Sequence, residues 1–238
     1  MSRLFGIAKR YSFPFSYSQI SYSYLNAAYS FSTQLGHFMY SSRPCSTVRS
    51  PFDANILRII HNKIEHFSYV APPNQPATKF SSFTVQDQPG QQWVRLKGRF
   101  DDVEDIEMEV TMFDGYGIGP IAGGGDSSVE DVRLHITLLV DISKGTDDDA
   151  LEFACSAWPE SLEIQRVYLL KNQKVLDRPY MGPDFRKLSI ELQKTLRDFL
   201  EARGINNELS VFLHEYMMNK NRIEQLHWCE KVKSFVEE

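Results

Sequence analysis

Asp147-Asp148-Asp149 is an unbroken run of carboxylates, a group that attracts hard divalent cations. It lacks the spacing and the glycine of an EF-hand loop, so the expected structure is a solvated acidic turn with weak, nonspecific calcium or magnesium binding. Asp101-Asp102-Val103-Glu104-Asp105 reads the same way. Gly115-Tyr116-Gly117-Ile118-Gly119 looks on paper like a dinucleotide fingerprint. Pro120 and Gly123-Gly124-Gly125 stand where a phosphate-binding helix would have to open, and no βαβ unit surrounds them. A flexible loop ending in Asp126, Glu130 and Asp131 is expected instead. His61 and His66 are five apart and share no helix face as an i, i+4 metal pair would, and His135 falls on the polar side of a strand as a surface residue. With no HExxH, no nucleophile elbow and no Walker loop, the chain shows no catalytic constellation and calls for no cofactor. Cys45, Cys155 and Cys229 suit neither a disulfide framework nor a zinc site, and the last two read as buried thiols in a reducing compartment.

These residues need elements to hold them. Ile56, Ile60, Ile64 and Phe67 recur at helical spacing until Pro72-Pro73. From Phe80 to Leu169 the period becomes two: Ile106, Met108, Val110 and Met112 alternate with Glu107, Glu109 and Thr111, and Val132 to Val140 alternate with Arg133, His135 and Thr137. Shorter strands at 80–85, 93–96, 151–157 and 162–169 are separated by turns so tight that the sheet must be an antiparallel meander, wet on one face. Beyond Pro183, a stripe from Phe185 to Leu200 predicts a helix closed at Gly204. Asn206 then caps a second helix through Met217, and a third runs from about Asn221 to Val236. Helix, sheet, then helices is an α+β order in one domain, with the helices covering one side of the sheet and the terminal helices similar enough in length to pair.

Charge is segregated along this frame. No acid precedes Asp53, whereas residues 101–152 carry fifteen acids against two bases, Arg133 and Lys144. Residues 1–50 hold five arginines and lysines and twelve serines, the composition of an organelle transit peptide, with mitochondrion favoured and cleavage expected between about 43 and 52. Residues 51–238 form the folded domain. No run of about 18 or more apolar residues exists to span a membrane.

Several strings in this order resemble the mitochondrial acidic matrix protein family, also called the mitochondrial glycoprotein family, which includes the animal receptor for the globular heads of a complement subcomponent. They are Leu151 to Pro159 (LEFACSAWP), Leu196 to Ile205 (LRDFLEARGI), Phe212-Leu213-His214-Glu215-Tyr216, Asn219-Lys220 and Glu230 to Val236 (EKVKSFV). Tyr69-Val70-Ala71-Pro72-Pro73 and the long leader are similar to plant members. No N-x-S/T sequon occurs, so nothing in the chain supports the word glycoprotein. The resemblance implies a twisted sheet of about seven strands, helices on one side, coiled terminal helices, a doughnut-shaped homotrimer, a matrix location and no known catalytic site. A symmetric assembly would multiply the acidic stretch around a ring, and cationic partners follow from it. The expected function is chaperone-like binding of basic proteins, such as ribosomal proteins or assembly subunits, in mitochondrial translation or oxidative phosphorylation. Asp101, Asp102, Glu104, Asp105, Glu130, Asp131, Asp147, Asp148 and Asp149 are the expected contacts, and direct nucleic-acid binding through them is disfavoured because phosphate contacts need Lys and Arg. The alternative is a matrix calcium buffer or regulatory protein.

Overall fold

The computed structural model describes residues 50–69, 73–120, 130–144, 149–170, 180 and 182–238. Residues 1–49 of the expected leader, Asp126, Asp147 and Asp148 lie outside them. Helix α1 (Pro51–Tyr69) opens on a reciprocal cap: the Asp53 amide donates to Ser50 Oγ and the Ser50 amide to Asp53 Oδ2. Among the described residues eight strands follow: β1 (Lys79–Phe80), β2 (Phe83–Asp87), β3 (Trp93–Phe100), β4 (Glu104–Thr111), β5 (Gly115–Pro120), β6 (Glu130–Lys144), β7 (Ala150–Trp158) and β8 (Ser161–Leu170). A 3-10 turn (Phe185–Lys187), α2 (Ile190–Glu201) and α3 (Asn207–Glu237) complete the chain.

All pairings are antiparallel, in the order β1-β2-β3-β4-β6-β7-β8, with β5 paired to β6 alone. β6 is the spine. Its residues 138–144 pair with β4 and 136–143 with β7, while 130–135 continue past both and pair with β5. The segment read as a flexible glycine loop is therefore a strand from Gly115 to Pro120. Glycine periodicity is invisible to an apolar-alternation test, yet here it lets neighbours approach the backbone: a Cβ on Gly117 would stand 3.2 Å from the Trp158 ring. Between β4 and β5, Thr111 to Asp114 stand opposite only Ile136 and Thr137, a bulge that Thr111 Oγ1 bridges by accepting the Thr137 amide at 3.0 Å.

The alternation places Val94, Leu96, Ile106, Met108, Val110, Leu138, Val140 and Phe153 on one face, buried under Leu200, Leu209, Leu213 and Met217 of α2 and α3. Helix α1 packs on α3, so the ends of the domain meet as expected. Gly204, at φ +76°, closes α2 with the Gly204 amide donating to the Glu201 carbonyl and the Ile205 amide to that of Leu200, a Schellman pair that buries Ile205 against Leu200. Asn206 caps α3 through the Leu209 amide. The two final helices expected from the sequence are one helix of 31 residues. Asn219, which falls between the two expected helices, spends its side chain elsewhere: its amide group exchanges two hydrogen bonds with the backbone of Asn74, at 2.7 and 2.9 Å, instead of competing within the helix.

Candidate functional site

The acid-rich stretch begins in the β3–β4 hairpin, where opposite charges face each other across the strands. Arg95 registers with Glu109, Lys97 with Glu107 and Arg99 with Asp105. Arg95 Nη2 lies 2.8 Å from Glu109, Lys97 Nζ 3.1 Å from Glu107 and Arg99 Nε 2.9 Å from Asp105. Arg95 Nε also approaches Glu107 at 2.8 Å, close enough for an ion pair but off-line for a hydrogen bond. Half-exposed pairs of this kind stabilise by about 0–1 kcal/mol, so the ladder chiefly neutralises one face. Bases outside the acidic stretch thus cancel three of its acids, Asp105, Glu107 and Glu109, at short range.

Glu104 is a correction to the expected contact set. Its side chain is buried, and Arg203 from the α2–α3 turn holds it in a fork, Nε to Oε2 at 2.7 Å and Nη2 to Oε1 at 3.0 Å, with Lys144 Nζ 3.1 Å from Oε1. Arg203 in turn lies 3.4 Å above the Phe199 ring centroid and 4.6 Å from that of Phe100. The Arg203 hydrogen bonds outweigh desolvation and hold the Glu104 carboxyl below the usual carboxylate range. This residue fastens the hairpin to the helices and has no oxygen left for a client.

Asp101 and Asp102 form the hairpin turn itself, exposed and both left-handed, at φ 50° and 54°. Asp is among the few non-glycine residues that tolerate this region. The register Glu104 with Lys144, and Ser143 with Ala150, brings the β6–β7 connection to the same end of the sheet, and Asp149 is exposed there. Asp101, Asp102, Asp105 and Asp149 are therefore neighbours in the fold. Glu130 and Asp131 register with Pro120 and Gly119 at the opposite end of β6, about 45 Å of strand away. The expected set is two groups, not one.

Sequence reasoning missed the role of His135. It lies on the sheet face away from the helices, as its alternation implied, but it is buried there: Nδ1 is 2.7 Å from Asp114 Oδ1 and Nε2 is 2.8 Å from Ser156 Oγ, with Trp158 edge-on at 4.9 Å. An Asp-His-Ser order invites comparison with a charge relay. Ser156, however, sits mid-strand in register with Thr137 on one side and Glu163 on the other, a geometry that commits its backbone to the ladder instead of to an oxyanion. The trio fastens the β4–β5 bulge to β7. The signal was in the string SAW: Ser156 and Trp158 share a face two residues apart.

A second polar knot joins β2 to α3. Lys220, almost fully buried, reaches Asp87 and Glu224, Tyr216 Oη donates to Asp87 at 3.0 Å, and the Gly90 amide donates to Glu224. Cys155 and Cys229 are buried and unpaired with each other, and desolvation pushes the Cys155 thiol up to about 12. Among the described residues no group of three or more His, Cys, Asp or Glu converges to hold a metal ion, and no helix is long and apolar enough to cross a membrane.

A sequence model described as mitochondrial glycoprotein matches residues 70–236. The chain is 32% identical over 162 residues to an uncharacterised mitochondrial protein of Arabidopsis thaliana, covering 66% of this chain and 62% of that one. It is 29% identical over 118 residues to the mitochondrial acidic protein mam33 of Schizosaccharomyces pombe, covering 45% of this chain and 44% of that one. The matches span less than two thirds of either relative. The crystal structure of the Trypanosoma brucei p22 protein superposes with a TM-score of 0.63 at 19% identity, over 79% of this chain and all of that one. A Leishmania major protein described as a sequence homologue of human p32 superposes with a TM-score of 0.61 at 16% identity, over 78% and 99%. These two likenesses concern the fold.

Proposed function

The chain belongs to the mitochondrial glycoprotein family, and from that premise we propose that it is a non-enzymatic acidic binding protein of the mitochondrial matrix. It holds basic protein clients, chaperone-like, in support of mitochondrial translation or respiratory-complex assembly. The observation that carries this reading is the convergence of the β3–β4 turn and the β6–β7 connection at one end of the sheet, with Asp101, Asp102, Asp105 and Asp149 at the surface. Asp147 and Asp148 belong to the same connection by sequence. Carboxylates gathered on two adjacent turns raise the local potential for a cationic partner more than the same charges spread over the surface. Residues 1–50 act as the transit peptide, cut between about 43 and 52, in keeping with their acid-free composition and the mitochondrial relatives. The domain assembles as a homotrimer, in line with its family resemblance and with exposed apolar residues such as Phe52, Ile59, Trp228 and Phe235 on the paired helices.

The test is affinity purification of the tagged full-length protein from isolated mitochondria, beside a variant carrying Asp101→Asn, Asp102→Asn, Asp147→Asn, Asp148→Asn and Asp149→Asn. Enrichment of basic ribosomal or assembly proteins, lost in the variant and in high salt, is the expected result. Equal recovery by both forms would move the client site off this end of the sheet. Stoichiometric micromolar calcium binding in calorimetry would favour a buffer instead.

A further inference from the structure

The three outer strands of the sheet differ in how their edges are finished. β1 is two residues long, which leaves little to pair with. β8 is interrupted by a register shift opposite Ala154 and Cys155, its Leu162 amide donates to Asn207 Oδ1 at 2.9 Å, and Gly182 packs so closely that a Cβ there would stand 2.6 Å from the Val167 carbonyl. β5 has none of these devices. Among the described residues it pairs with β6 on one side alone, so alternate backbone groups along Gly115–Pro120 face outward, and it contains no charged residue. Its side chains are exposed apolar ones, Tyr116 at 48% and Ile118 at 60%. Tyr116 registers with Leu134 and Ile118 with Val132, so the apolar face of the sheet continues onto this ribbon.

We propose that the outer edge of β5 is a strand-addition site for an extended, basic segment of a client protein. The inference rests on the client-holding reading and gives it a binding mode. An incoming strand would complete the edge with main-chain hydrogen bonds. Alternate apolar residues would lie over Tyr116 and Ile118, and the residues between them would fall on the glycine side of β5. No β5 side chain obstructs that side. Gly117 stands there against the Trp158 ring with Arg133 in the register position opposite it, and Asp131 occupies the register position opposite Gly119. A basic residue placed beside Gly119, where Asp131 stands in register, and flanked by apolar ones therefore matches both faces at once.

The full chain is titrated with an acetylated, amidated ten-residue peptide alternating Lys and Val, and with the same peptide N-methylated at every backbone amide. The methylated form keeps every charge and side chain and loses its donors. The expected result is binding of the parent peptide that falls roughly tenfold or more on methylation, the effect of losing two or three main-chain hydrogen bonds. The double variant Tyr116→Lys, Ile118→Lys should weaken the parent peptide comparably without changing the circular dichroism spectrum. Equal binding of both peptides, abolished by salt, would overturn strand addition while leaving electrostatic client holding in place. Absence of binding by either would overturn both. A shift to smaller sedimenting species on adding peptide would make the edge a contact between copies of the chain and overturn the client assignment.

Discussion

Two hairpins of the same sheet, β3–β4 and β5–β6, follow one pairing rule and end in opposite conditions. In the first, one face is closed by helices and the other by a ladder of ion pairs, and Arg203 clamps its end to the α2–α3 turn. In the second, glycines bring the backbone against Trp158 and His135 on one face, Tyr116 and Ile118 remain exposed on the other, and one edge is unpaired among the described residues. A strand's neighbours, more than its own residues, decide whether it serves stability or contact. The first hairpin carries more of the formal charge, yet its carboxylates are largely engaged within the fold.

If that division holds, damage to the first hairpin should cost stability and damage to the exposed face of β5 should not. The largest effect is expected for Arg203→Ala, about 3–5 kcal/mol in urea unfolding, because it leaves the Glu104 charge buried with Lys144 as its remaining partner. Its pH dependence follows from the depressed Glu104 carboxyl. That contribution is complete above the usual carboxylate range and disappears as pH falls through the lower folded value, so wild type and variant should converge in acid. A constant gap down to acid unfolding would remove Glu104 from the explanation. Met108→Ala in β4 should cost about 2–5 kcal/mol, measured the same way, since its side chain is fully buried under the helices. Gly98→Ala should cost about 1–3 kcal/mol, because the new methyl would meet Phe83 Cδ1 at 2.5 Å within the core. Smallest of all, Ile118→Ala should change the free energy of urea unfolding by no more than about 0.5 kcal/mol. A loss near that of Met108→Ala would show that the ribbon is covered and would break the comparison.

Much of the fold was legible because apolar alternation and helix caps are local signals. Met108 and Leu138 marked their buried face by position alone, and Gly204 and Asn206 announced the α2–α3 joint. Neutralisation was not legible, because Arg95, Lys97 and Arg99 belong to a different charge block from the acids they oppose and meet them only through register. The same holds for Glu104, whose partner is 99 residues away. β5 escaped notice because glycine carries no hydropathy signal, although its alternation with Tyr116 and Ile118 has the strand period.

The pairing of α1 with α3 has a consequence for the order of events in making this protein. Helix α1 is among the first folded elements to be synthesised, and the helix that covers its inward stripe, Ile60 among it, is the last. The Asn74–Asn219 bonds close a loop of 145 residues. Contacts so distant in sequence form late and slowly, since chain entropy must be overcome before they return any stabilisation. Throughout synthesis α1 is therefore an amphipathic segment without its partner, and the domain is finished only when the final helix arrives.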